Sequence, residues 1–182
     1  MEENQKIPMR SQVKKEDTWA IEDMYATVED WEKDFAAAKK VAEEAAEYAG
    51  RLGESAQALY DWSVLTEKLD CMLSEIYGYA SRVKDQDTAD AAGQTLSARA
   101  MGLYVECSGL ISFADPEILS IPEEKLEAFY AEKPELLKYR RSINEVRRCK
   151  DHILSPELEK ILADGTGARN GLFVFGKCRP DL

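Results

Sequence analysis

From Leu59 to Val83 apolar side chains return every three or four residues: Leu59, Trp62, Leu65, Leu69, Met72, Leu73, Ile76, Tyr77, Ala80 and Val83. That spacing keeps one face of an α-helix apolar for roughly eight turns. A stripe of this length needs a long partner, because a helix holds its shape in water mainly by burying such a face. The partner follows the polar corner Asp85-Gln86-Asp87-Thr88, where Leu96, Ala100, Leu103, Tyr104, Cys107, Leu110 and Ile111 repeat the pattern. A short connection between two long helices makes them antiparallel neighbours. The predicted fold is therefore all-α, an antiparallel helical bundle with two long central helices and several shorter helices toward the C-terminus.

The flanking segments fill in that plan. Residues 1–26 hold Pro8, mixed charges and an isolated Trp19, and read as an N-terminal arm whose aromatic residues dock on the body. Thr27 followed by Asp30 gives a capping-box-like start, and Trp31, Phe35, Ala38, Ala42, Ala45 and Tyr48 mark a helix that ends at Gly50. Asp115-Pro116 and Ser120-Ile121-Pro122-Glu123 place cap-forming side chains just before prolines and mark further helix starts, since proline has no amide to lose in a first turn. Leu126, Phe129 and Tyr130 follow Pro122; Leu136, Leu137, Tyr139, Arg140, Ile143 and Val146 follow Pro134. Ser155-Pro156-Glu157 opens a short helix with Leu158, Ile161 and Leu162, closing a helical lobe over residues 27–164. From residue 165 to 182 the chain is rich in glycine, with Gly165, Gly167, Gly171 and Gly176, and helical periodicity stops.

Scarcity decides much of the chemistry. The 182 residues contain one histidine, His152. A helical metallopeptidase centre needs two histidines a turn apart with a glutamate between them, and a di-iron bundle needs two ExxH pairs, so neither can be built. Cys149-Lys150-Asp151-His152 offers a CxxH spacing but no second pair for a closed metal site, and a helix-junction histidine beside an incidental cysteine is the plainer reading. Cys71, Cys107, Cys149 and Cys178 form no CxxC motif; with no export signal or bilayer-spanning run, a reduced, cytoplasmic setting is expected. The formal charge of −11, with 24 cations read as scattered among 35 carboxylates, argues against nucleic acid and anionic membrane as partners. Gly165-Thr166-Gly167-Ala168-Arg169-Asn170-Gly171 lacks the GK[ST] ending of a phosphate loop, and Asp85 to Thr88 supplies too few oxygens for calcium, so capping is its expected role. Trp19, Trp31, Trp62 and the tyrosines fall mostly at core-facing positions. No catalytic, cofactor-binding or metal-binding residue is assigned.

A series of short matches, taken in order, adds a family. Arg10-Ser11, Glu16-Asp17-Thr18-Trp19, Glu22-Asp23-Met24-Tyr25, Trp31-Glu32, Gly53-Glu54-Ser55, Tyr79-Ala80-Ser81-Arg82, Asp85-Gln86-Asp87-Thr88, Ser112-Phe113, Pro116-Glu117-Ile118-Leu119 and His152-Ile153-Leu154-Ser155 resemble the start of oligoendopeptidase F-type zinc metallopeptidases over about residues 7 to 164. The resemblance implies an all-helical N-terminal lobe that walls a channel admitting short peptides. It also implies that the zinc-binding HExxH helix and its downstream glutamate lie in the missing carboxyl-terminal part, so zinc belongs to the full-length family and not to this chain. After Asp164 the family continues toward a stretch resembling Asn-Ala-Asp-Leu. Codons for Gly176 to Leu182 can be chosen so that a one-nucleotide shift reads Glu-Asn-Ala-Asp-Leu-Thr, which makes residues 165–182 a candidate frameshift product.

Two functional expectations follow. The first is a truncated peptidase lobe that contacts short peptides weakly and hydrolyses nothing by itself. The alternative is a standalone helical peptide-binding or protein-interaction module, with a homodimer formed through apolar surface that truncation exposes.

Overall fold

The computed structural model describes residues 10–150, residue 158 and residues 160–162. Expectations that fall on residues 1–9, on His152, on the helix start at 155–157 and on the glycine-rich segment 165–182 lie outside the described residues. The described residues are helical with no strand among them, as the two long stripes require.

Three short 3-10 turns, Arg10–Gln12, Lys15–Asp17 and Ile21–Asp23, lead into helix α1, Val28–Ala46. The Thr27 hydroxyl accepts from the Asp30 amide at 3.2 Å, an N-cap that stabilises by about 1 kcal/mol. The turns after α1 pass through Gly50 at φ 81°, a left-handed backbone that glycine adopts without the Cβ clash of other residues. Ser55 then caps α2, its hydroxyl accepting from the Ala58 amide at 3.1 Å. Helix α2, Ala56–Gln86, has 31 residues and is about 46 Å long at 1.5 Å per residue. At the next corner the Asp90 carboxylate accepts from the Ala92 and Gly93 amides at 3.2 and 3.0 Å and starts α3, Ala91–Leu110. A Cβ on Gly93 would sit 3.2 Å from the Lys84 Cα, so glycine lets α3 run back closely along α2.

Helix α2 supports two cores in succession. Its later part gives Leu69, Leu73, Ile76, Tyr79 and Ala80 to a core shared with Trp31, Ala38, Val41 and Ala42 of α1 and Leu96, Ala100, Leu103 and Cys107 of α3. Trp31 is fully buried and its indole N–H donates to the Ile76 carbonyl at 3.0 Å, so the largest apolar group is also positioned by a hydrogen bond. Above it Arg99 donates both terminal nitrogens to Glu32, one at 2.8 Å, and lies over the Trp31 and Phe35 rings at 5.2 and 5.0 Å.

The earlier part of α2 gives Ala56 and Leu59 to a second core, built with Leu52 and with short elements: α4, Ala114–Ser120; α5, Glu123–Glu132; a 3-10 segment, Pro134–Tyr139; and α6, Arg140–Arg148. Ile118, Ile121, Leu126, Phe129, Tyr130, Leu136 and Ile143 fill it. Glu117 of α4 binds this core to the turn after α1, its carboxylate accepting from the Gly50 amide and, at 3.3 Å, from the Leu52 amide.

The structure revises several expectations. Trp19 does not dock; it is 57% exposed, while Ile21 and Tyr25 make the segment's contact with the core. Tyr77 sits on the solvent side of α2 although it fits the apolar count. The two proline signals mark real helices but not their caps. Asp115 and Pro116 lie inside the first turn of α4, behind Phe113 at the cap position, and Pro122 itself occupies the cap position of α5. Pro134 opens a 3-10 segment, and the α-helix begins only at Arg140.

Candidate functional site

The corner between the long helices is occupied by capping. Asp87 accepts from the Ala89 amide, Asp90 caps α3, and Gln94 reaches back to the Thr88 carbonyl at 2.7 Å. Arg10 donates to the Gln86 side chain at 2.6 Å, fastening the incoming segment beside the same corner. The tryptophans do not form one surface: Trp31 is core, Trp62 is partly buried with its indole N–H unpaired, and Trp19 is exposed. Cys149 is buried at the end of α6, and His152 lies outside the described residues, so the CxxH spacing has no described geometry.

Basic side chains do gather, contrary to the reading of scattered cations. Between residues 140 and 150 stand Arg140, Arg141, Arg147, Arg148 and Lys150 against Glu145 as the one carboxylate, leaving 19 cations against 34 carboxylates in the rest of the chain. On α6 these residues divide by role. Arg147 donates to the Ile121 carbonyl at 2.8 Å, and Arg140 pairs with Glu127 at 2.7 Å while lying 5.1 Å over the Tyr130 ring. Both guanidiniums thus fasten α6 to the second core. Arg141 and Arg148 face outward. Among the described residues Arg141 meets only Glu145 one turn on, at 3.2 Å with its side chain 91% exposed, and Arg148 has no hydrogen bond or ion pair.

Leu137, Arg141, Asn144, Glu145 and Arg148 recur at helical spacing, and together with Arg140 they line a shallow, open depression of ≈ 550 Å³. Leu137, from the 3-10 segment, is 47% exposed there, an apolar contact beside the guanidiniums. Beneath Arg140, the Tyr130 hydroxyl is buried without a hydrogen-bond partner, and burial holds its pKa above the ordinary phenol value. A neighbouring cluster joins the 3-10 segment to α2: Lys138 and Tyr139 both donate to Glu67, at 2.6 and 2.8 Å, and these contacts hold the Glu67 carboxyl below the usual carboxylate range. The chemistry on offer is binding of carboxylates by guanidiniums.

Comparisons with known proteins agree with one another. The family model described as Oligopeptidase F, of the N-terminal region of peptidase family M3, matches residues 117–170. Oligopeptidase PepF of Bacillus subtilis is 38% identical over 160 residues, which is 88% of this chain and 24% of that protein. Group B oligopeptidase PepB of Streptococcus agalactiae is 32% identical over 85% of this chain and 26% of its own length. The crystal structure of oligoendopeptidase-F from Enterococcus faecium superposes with a TM-score of 0.72 at 25% identity, over 78% of this chain and 28% of that one. The chain corresponds to the N-terminal region of the oligoendopeptidase F family.

As an oligoendopeptidase F region, it spans about a quarter of the length of the curated relatives that it matches. Among its described residues no three His, Cys, Asp or Glu side chains converge as a metal site. The buried thiol of Cys107 is pushed up to about 11 by burial, the opposite of what a thiolate ligand requires. These residues therefore do not fit the zinc that the family resemblance implies. No helix among the described residues is long and apolar enough to cross a membrane.

Proposed function

We propose that this chain is a helical lobe that contacts short peptides in an oligoendopeptidase F-type peptidase and that, as the isolated 182-residue chain, it cleaves none. The observation that carries this reading is the match of most of the chain to about a quarter of its relatives, combined with a single histidine in the sequence. Hydrolysis of a peptide bond by a metal-bound water needs an anchored ion and a general base beside it, and one imidazole cannot supply the histidine pair of an HExxH helix. What remains is shape: two cores braced by one long helix give a rigid wall with side chains fixed on its surface. Peptide contact with such a wall is expected to be weak, since the outward depression on α6 is shallow and open.

The direct test is incubation of the purified chain with internally quenched fluorogenic peptides and added zinc. No release of fluorescence is expected. Turnover that a chelator abolishes, and that remains with the protein through a further chromatographic step, would overturn the reading.

A further inference from the structure

We infer that the outward face of α6, with the end of the 3-10 segment before it, is a docking site for acidic peptide segments, with Arg141 and Arg148 as the carboxylate-binding groups and Leu137, one turn before Arg141, as the apolar contact. This inference rests on the peptide-contacting reading and names both the site and the class of peptide. The four arginines of α6 divide the labour. Arg140 and Arg147 are committed to Glu127, Tyr130 and the Ile121 carbonyl, whereas Arg141 and Arg148 add nothing to the core and repeat on one side of the helix two turns apart. Guanidiniums present planar forks that match carboxylates two hydrogen bonds at a time. Glu145, held by Arg141 at 3.2 Å, already shows that face taking a carboxylate at its surface, and Asn144 beside it can serve a peptide backbone.

Charge selects the partner. Outside residues 140–150 the chain carries 34 carboxylates to 19 cations, so an acidic peptide is repelled by most of the surface and attracted by this one face. A phosphate polymer would meet the same repulsion along its whole length, whereas a short acidic segment fits within the depression of ≈ 550 Å³ and clears the rest of the molecule. The exposed Leu137 in the depression suits an apolar residue next to the acidic ones.

The test uses the whole chain and three probes: a fluorescent glutamate-rich peptide with one leucine, its glutamine counterpart, and a single-stranded oligonucleotide. The acidic peptide should bind best, and its binding should fade toward about 1 M salt, where the screening length falls to about 3 Å. The double substitution Arg141→Ala/Arg148→Ala should weaken it about three- to tenfold with circular dichroism unchanged, because both positions are exposed and alanine suits a helix. Arg141→Lys/Arg148→Lys should keep part of the affinity, retaining charge without the fork. Equal binding of the acidic and glutamine peptides, unaffected by the alanine substitutions, would overturn the inference and leave the peptide-contacting reading standing. Binding of neither peptide would overturn both, and tighter binding of the oligonucleotide would reassign the face to phosphates.

Discussion

The two cores strung along α2 are built on different terms. The first unites three helices of 19, 31 and 20 residues, and its central side chain, Trp31, satisfies its one polar atom on the Ile76 carbonyl. The second gathers four short elements around the start of the same helix. Buried polar atoms without a partner among the described residues occur in both regions: the Trp62 indole N–H and the Tyr130 hydroxyl in the second, the Ser81 hydroxyl and the Gln86 amide nitrogen on the later part of α2. Long helices fix many side chains by one repeat, so their facing stripes can be complementary throughout. Short helices are set by their connections, and each contributes only one to three side chains to the core it helps to close. The outward guanidiniums of α6 belong to this second, less regular region.

That contrast can be broken at its strongest point first. Trp31→Ala should cost about 4 kcal/mol, the transfer and cavity terms of an aromatic side chain deleted from a closed core, read as a fall in the urea midpoint. A cost below about 1 kcal/mol would mean that the first core is no better packed than the second. Next in size is Tyr25, whose hydroxyl donates to Asp34 at 3.0 Å and whose ring meets Tyr79 edge-on at 5.2 Å. Burial, then the hydrogen bond to Asp34, raises the Tyr25 pKa above its ordinary 10.0. The neutral phenol is therefore the stabilising form: its contribution is complete below pH 10, the unfolded value, and is lost as pH rises through the higher folded value. Tyr25→Phe should cost about 1 kcal/mol at neutral pH and make stability fall less steeply above pH 10, followed by urea titrations at several alkaline pH values. The smallest effect is expected at Tyr130. Its hydroxyl is buried and unpaired, so Tyr130→Phe should be neutral or stabilising by up to about 1 kcal/mol, and a loss above that size would reveal a partner for the hydroxyl.

The same contrast explains what could be read in advance. The three long helices were legible because periodicity over 19 to 31 residues averages out single misfits such as Tyr77. Thr27 was legible as a cap because a hydroxyl three residues before Asp30 has a mechanism. The α2–α3 corner was placed at residues 85–88, but α2 continues to Gln86 and Asp90 makes the cap, since several aspartates in a row offer the same signal. In the second core the prolines announced helices without fixing cap or helix type, which depend on how the chain is drawn onto Leu52 and Leu59. The binding face was in plain view as Arg141 and Arg148 at a seven-residue interval. A charge count along the whole acidic chain hides it, because five local cations disappear among 35 carboxylates. The absence of an HExxH pair, by contrast, needed only a count of histidines.

Helix α2 binds both cores into one cooperative unit, and tryptophan fluorescence reports on each core separately. One variant carries Trp19→Phe and Trp62→Phe, leaving Trp31 in the first core; another carries Trp19→Phe and Trp31→Phe, leaving Trp62 in the second. In each, the urea midpoint from fluorescence is predicted to coincide with the midpoint from far-ultraviolet circular dichroism. A Trp62 signal that is lost while a helical plateau persists would show that the two cores unfold independently and would contradict this cooperativity.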